Sequence, residues 1–277
     1  MPTIHLDKCI KCLKCVHDCP SEAIDIELGT INDSCIHCGH CVAICPESTV
    51  FPDAGGIQKL QVSTVTPADF QQLSAGIRTC RSYLDREVDD DLLHLLIGNM
   101  KHYPSASNAR PVEITVVKSR EAVQRLNDQT GLKLIRAIRF ITLPVLKPVI
   151  GIMAPKMNVS RLVNYKKRFI TRQIPESSQI CHHAPAVMLF HAPEGKYSLA
   201  ADDSNIWATY TSLYANTLGL GTCFNGFIVK AMERSKALRK EFGIPDNHRV
   251  HTALLMGHPK MKYTNQAGRD TPKANFI

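Results

Sequence analysis

The sequence predicts an α+β protein in two unequal parts, and three observations carry that expectation. Eight of the eleven cysteines fall between residues 9 and 45, in two copies of one pattern. The longer remainder alternates helix-period and strand-period segments punctuated by glycine and proline. Charge also changes sign: residues 1–58 hold three lysines against eight acids, a net of −5, whereas the rest holds 30 basic against 17 acidic residues, a net of +13.

Cys9, Cys12, Cys15 and Cys19, followed by Pro20, read C-x2-C-x2-C-x3-C-P. Cys35, Cys38, Cys41 and Cys45, followed by Pro46, repeat that pattern with every cysteine 26 residues after its counterpart. A fixed offset marks an internal duplication. A cubane iron-sulfur cluster needs four converging thiolates, three from a tight loop and the fourth from elsewhere. A zinc ribbon closes with four ligands and leaves the third cysteine of each loop without a role. Disulfides bridge poorly across such short spacings. The run is identified as that of bacterial ferredoxins. That resemblance implies one [4Fe-4S] cluster on Cys9, Cys12, Cys15 and Cys45 and a second on Cys35, Cys38, Cys41 and Cys19. So short a segment buries too little surface to fold unaided, so the clusters also staple it.

At 277 residues and 44% apolar content, the chain has ample length for a full core after the cysteine segment. Its start, Met1-Pro-Thr-Ile-His, lacks the basic stretch and apolar run of an export signal. No stretch approaches the roughly 18 apolar residues of a spanning helix. Free thiolates favour a reducing interior, so a cytoplasmic location is expected. Cys80, Cys181 and Cys223 are too dispersed in sequence to define another metal site and are expected to be buried. The charge split favours an acidic protein partner, and no nucleic-acid partner is expected.

In chain order, Ile4–Leu6, Ala23–Ile26 and Val50–Phe51 are β-prone, with a connecting turn at Ser21-Glu22-Ala23. Pro52-Asp53-Ala54-Gly55-Gly56 supplies linker chemistry, giving domains at 1–58 and 66–277. Thr66-Pro67 starts a helix. Asp89 caps another, whose Leu92, Leu93, Leu95, Leu96 and Met100 form a core face. Strands are expected at Val112–Val117, Ala184–Phe190 and Val250–Met256. A long helix over Asp202–Gly221 carries Trp207 and Tyr210 as core residues and ends at its glycines. His182 and His183 are expected to be ordinary loop or strand-end residues.

Four islands in this remainder carry a second resemblance. Ile77 to Val88 is similar to the opening of the FMN-dependent nitroreductase family, R-R-S-x-R-x-F: Arg78, Thr79 and Arg81 match, and Ile77 stands where the first arginine would be. Pro104-Ser-Ala-Ser-Asn-Ala-Arg-Pro111 resembles P-S-x-x-N-x-Q-P, with Arg110 in place of glutamine. Leu218 to Phe227 resembles A-L-G-L-G-T-C-W-x-G-x-F, and Gly257-His258-Pro259 resembles the G-x-P ending. The resemblance spans residues 68–271 in outline. It implies a mixed sheet flanked by helices and a homodimer with FMN at its interface. Arg78, Thr79, Arg81 and Arg269 are implied to hold the flavin phosphate through charge-assisted hydrogen bonds. Pro104, Ser105, Ala106 and Asn108 are implied to approach the ring and ribityl chain, in the flavin site of the other subunit. Asn225 and Gly226 are implied to face the reactive nitrogen through backbone donors. No side-chain acid or base stands out, so the chemistry is expected to be flavin-centred.

Residues 129–175 contain ten basic residues and no acid, interleaved with apolar ones. In the family this variable region covers the active site, so a lid is expected; a membrane-surface helix and a docking surface for an acidic donor fit the same composition. The expected function is an oxidoreductase taking single electrons from a donor such as ferredoxin or flavodoxin, through the clusters, to FMN and a small oxidised substrate, a nitroaromatic or quinone. Alternatives are a non-catalytic module serving a partner enzyme, a membrane-surface quinone reductase, and dehalogenation or dehydrogenation on the same scaffold. Which cluster faces the flavin is left open.

Overall fold

The structure, a computed structural model, describes residues 1–53, 55–141 and 180–277. The expected lid therefore lies outside the described residues beyond Ile141. Two compact units are present, one of Met1–Thr66 with Pro104–Arg110, the other of Pro67–Tyr103 with Pro111–Ile277. The division is not linear in sequence.

The first unit runs β1 (Thr3–Ile4), α1 (Lys14–His17), β2 (Ile24–Asp25), β3 (Thr30–Ile31), α2 (His40–Ile44) and β4 (Val50–Phe51). β1 pairs antiparallel with β4, and β2 with β3. The duplication is written into the backbone. Lys11, Leu13 and Glu22 have φ of 50°, 60° and 49°, and their counterparts 26 residues on, His37, Gly39 and Ser48, have 53°, 76° and 53°. These left-handed turns let one loop aim three successive cysteines inward. Gly39 adopts the conformation freely, whereas Leu13 pays about 1 kcal/mol for it. Cys15, Ile26, Cys41 and Val50 form the small buried core.

The second unit contains α3 (Pro67–Gly76), α4 (Asp90–Asn99), β5 (Glu113–Val117), α5 (Arg120–Ile141) and β6 (Ala186–Pro193). It continues with α6 (Ala200–Thr217), β7 (Gly221–Phe224), α7 (Gly226–Glu233), α8 (Lys236–Glu241) and β8 (His248–Gly257). The sheet order is β5-β6-β8-β7, and each of these pairings is antiparallel. β6 is buried on both faces, which explains its unbroken apolar run. Val187 and Leu189 pack with Leu126, Ile228, Met232 and Leu238 from α5, α7 and α8. Ala186, Met188 and Phe190 pack on the opposite face with Leu93 and Leu96 of α4 and Trp207 of α6. Each such side chain contributes about 1.5–3 kcal/mol through burial.

Two details depart from the periodicity. Leu93, Leu96 and Met100 are buried as expected, but Leu95 is 50% exposed. Trp207 is buried while Tyr210 is half exposed, although both rings lie against Tyr103. No helix among the described residues is long and apolar enough to cross a membrane.

Candidate cofactor-binding site

The first unit holds two small cavities. One is lined by Cys9, Cys12, Cys15 and Cys45 with Ile4, Ile26 and Val50. The other is lined by Cys19, Cys35, Cys38 and Cys41 with Ile24, Ile31 and Ile36. Each therefore gathers three cysteines of one loop and the last cysteine of the other. The eleven cysteines are all free thiols.

Backbone amides aim at the sulfurs in the same repeated pattern. Lys11 donates its N–H to Cys9 Sγ and His37 to Cys35 Sγ, both at 3.4 Å. Ala23 donates to Cys19 Sγ at 3.4 Å and Thr49 to Cys45 Sγ at 3.3 Å. Burial works to raise the Cys19 and Cys45 thiols, yet these donors, with Ser21 beside Cys19 and the Thr49 hydroxyl beside Cys45, bring both below the ordinary thiol value. Cys15 and Cys41 lie deeper, and burial pushes Cys15 up and Cys41 up to about 11. Metal coordination deprotonates such thiols outright. A four-thiolate donor set with N–H···S support in an apolar pocket fits an iron-sulfur cluster.

The second unit positions the arginine loop against the sheet. Cys80 donates its N–H to the Thr222 carbonyl at 2.8 Å, joining the loop to β7. Leu84 donates to His258 and Lys260 to Ser82, fixing the next turn beside the end of β8. This close approach requires glycine. A Cβ on Gly221 would lie 2.7 Å from Cys80 Cβ, and one on Gly257 would lie 2.4 Å from Pro185 Cδ. Arg81 is exposed and near enough to Cys223 to counter the burial that raises that thiol. Thr79 is exposed. Arg78 donates Nη1 to the carbonyls of Ala75 and Ile77 at 2.7 and 2.8 Å, closing the end of α3 with part of its guanidinium. Arg269 is exposed in the stretch after β8 that has no regular structure, and no described bond joins it to Arg78 or Arg81.

Two residues implied to contact the flavin also make hydrogen bonds within the chain. Asn225 caps α7: its side-chain oxygen accepts from the Phe227 and Ile228 N–H groups, Nδ2 donates to Ile180, and its own N–H donates to Ala253. One hydrogen of Nδ2 and the backbone N–H are thus engaged within the fold, and Gly226 begins α7. Asn108 Nδ2 donates to the carbonyls of Ile36 and His37, at 3.0 and 2.9 Å. That amide ties down the Cys35–Cys38 loop. Pro104, Ser105 and Ala106 belong with it to the first unit, where Ser105 Oγ accepts from the Arg110 N–H. Ser107, Asn108 and Arg110 all adopt left-handed φ near 50°.

Sequence spacing also hid a convergence. Cys80, Cys181 and Cys223 are all buried, and all three thiols act on the Tyr83 hydroxyl, which burial raises first and they raise further. They form an apolar plug beneath the arginine loop, visible in sequence only as dispersed thiols.

Residues 75–258 match the Nitroreductase family, and residues 1–49 match the 4Fe-4S dicluster domain. A putative NADH dehydrogenase/NAD(P)H nitroreductase of Archaeoglobus fulgidus is 25% identical over 183 residues, 66% of this chain and 81% of that protein. A protein of the same description from Ralstonia nicotianae is 40% identical over 63 residues, 23% of this chain, so the match spans only 32% of that relative's length. The crystal structure of a nitroreductase with bound FMN from Desulfitobacterium hafniense superposes with a TM-score of 0.57 at 18% identity, covering 75% of this chain and 97% of that one. The family match takes in the arginine loop, the whole sheet and the Gly221–Gly226 turn, and the chain belongs to the nitroreductase family.

Proposed function

We propose that this protein is an iron-sulfur flavoenzyme that takes electrons singly through two [4Fe-4S] clusters and delivers them in pairs from FMN to a small oxidised substrate such as a nitroaromatic or quinone. The observation that carries this reading is the pair of four-cysteine cavities in a chain of the nitroreductase family. Bound clusters supply one-electron transfer, and bound flavin supplies the junction to two-electron chemistry. Domain 1–58 holds the clusters, on Cys9, Cys12, Cys15 and Cys45 and on Cys35, Cys38, Cys41 and Cys19. Domain 66–277 holds the flavin. Arg81, Thr79 and the guanidinium hydrogens of Arg78 not spent on α3 bind its phosphate, and the Gly226 N–H orients the ring. The family reading brings a homodimer with it. A reducing, cytoplasmic compartment suits the free thiols.

The acidic first 58 residues and the basic remainder favour a small acidic carrier, ferredoxin or flavodoxin, as donor. The relatives' descriptions name NADH or NAD(P)H, which makes nicotinamide the competing donor. Anaerobic reconstitution with iron, sulfide and FMN tests the assignment: about eight irons and one FMN per chain are expected. About four irons, or no retained flavin, defeats the corresponding half. Reduction of the loaded protein by ferredoxin, with NADH inert, followed by turnover of a quinone, supports the full path. Stoichiometric electron uptake without turnover of any small molecule supports the non-catalytic module instead.

A further inference from the structure

Away from all these residues, three adjacent strands of the second unit bring two histidines and a glutamate to one end of the sheet. Glu113 on β5 is the register partner of His191 on β6, so their side chains share a face. His248 on β8 is opposite Pro193, two residues beyond His191 and on that same face. This agreement depends on an irregularity. Ala253 and Leu255 of β8 lie opposite Leu189 and Val187, and uninterrupted alternation would turn Arg249 and His251 inward at this end. The register shift at Phe190/His191 reverses the alternation, so that Val250 and His248 face in instead. The bulge re-aims a histidine.

One ligand atom from each of Glu113, His191 and His248 lies within 4.8 Å of the others. The two imidazoles are 2% and 5% exposed, and their Nδ1 atoms stand 2.8 Å apart. His191 Nε2 meets the Thr115 hydroxyl at 3.1 Å, and His248 Nε2 lies 3.9 Å from a Glu113 oxygen. Glu113 is exposed and opens the cluster to solvent. A pair of buried imidazoles contributes less to a core than apolar side chains of that size, since each ring nitrogen must keep a polar partner or cost about 1–3 kcal/mol.

We infer that Glu113, His191 and His248 form a binding site for a first-row divalent cation such as Zn2+, separate from the cysteine cavities. Two imidazoles and one carboxylate with an open position toward solvent are the donor set these ions take. At a metal–nitrogen bond of about 2.0–2.1 Å in tetrahedral geometry, two ligating nitrogens stand roughly 3.3 Å apart. Binding at both Nδ1 atoms therefore parts the rings by about half an ångström and moves the hydrogen they share to the Nε2 that lacked one, leaving each ring neutral with its hydrogen on Nε2. The Thr115 hydroxyl on the far nitrogen of His191 fixes that ring's orientation, as outer partners of metal-bound histidines do. Three strands set the backbone spacing, and Glu113 supplies the entry path and a negative charge to balance the ion.

The test uses the full chain with both clusters loaded, without a histidine tag, kept anaerobic and titrated with Zn2+ against a competing chelator. Visible absorption reports that the clusters stay intact. One zinc per chain beyond the iron is expected, with at least tenfold weaker binding in Glu113→Gln, an exposed and isosteric change that leaves the fold alone. His248→Gln is expected to abolish binding. In parallel, NMR follows the imidazole hydrogen shared by His191 and His248, which should vanish at saturating zinc. Zinc bound equally by wild type and both variants would overturn the proposal. So would a shared imidazole hydrogen that persists at saturation, which would make the pair a hydrogen bond only.

Discussion

Gly221→Ala tests whether the arginine loop is positioned by its approach to β7. The new methyl carbon would sit 2.7 Å from Cys80 Cβ and 2.8 Å from its Sγ, against an ordinary carbon–carbon contact of about 3.5–4.0 Å. Roughly 1 Å of separation must be found. Cys80 cannot simply rotate, because its Cβ is one of the clashing atoms, and its backbone is tied to Thr222 at 2.8 Å. The loop must move, and with it Arg78, Thr79 and Arg81. Overpacking of this kind costs about 1–3 kcal/mol. Expressed wholly in flavin binding, that is a weakening of roughly 5- to 150-fold. Fluorescence titration of FMN into flavin-free, cluster-loaded protein measures it, alongside the melting temperature. Because the clash includes Cβ, adding Cys80→Gly to Gly221→Ala should recover most of the affinity, whereas adding Cys80→Ala should not. Wild-type affinity in the single variant, or rescue by alanine equal to rescue by glycine, would refute the steric reasoning.

Two further outcomes follow from particular side chains. Asn108→Ala removes both donors to the Ile36 and His37 carbonyls, a loss of about 1 kcal/mol per bond, so iron should leave the cluster on Cys19, Cys35, Cys38 and Cys41 several-fold faster under chelator challenge. The cluster on Cys9, Cys12, Cys15 and Cys45 should be unaffected, and equal release from both would show that Asn108 has no local role. Burial, with His248 and His251 nearby, pushes His191 down to about 4. The unfolded chain then takes up a proton near pH 6.5 that the folded chain refuses, so this contribution to stability is complete above that pH and declines as pH falls toward 4. The span corresponds to about 3 kcal/mol. Urea unfolding followed at Trp207, the sole tryptophan, should show the decline, and His191→Gln should flatten it.

The cysteine pattern was legible because ligand spacing is a local property: three thiols in a seven-residue turn point to a cluster before any tertiary contact forms. The arginine loop and the glycine turn were legible for the same reason. Asn108 and Asn225 were singled out by the family resemblance, and side-chain hydrogens of theirs go to carbonyls 71 or 72 and 45 residues distant. Such partners leave no mark in a motif. Cys80, Cys181 and Cys223 were expected to be buried and are, but their meeting around Tyr83 left no mark in the sequence, because Cys181 joins the others only through folding of the sheet and its connections. His191 and His248 were unreadable as a pair, since strand alternation without the bulge places His248 on the other face. Leu95 failed the opposite way: its spacing was right, and the apolar stripe was narrower than the run of leucines.

The non-linear first unit has a consequence for the time course of synthesis. A ribosome finishes Thr66 well before Arg110, and the missing piece of that unit, Pro104–Arg110, emerges about 44 residues later. At about 5–20 residues per second, the delay is on the order of 2–9 s. Throughout it the Ile36 and His37 carbonyls wait without their amide donor, while α3 and α4 are already being made. The Cys35–Cys38 loop is thus completed late, and the nascent chain has a brief period in which its first cluster-binding loop can close before its second.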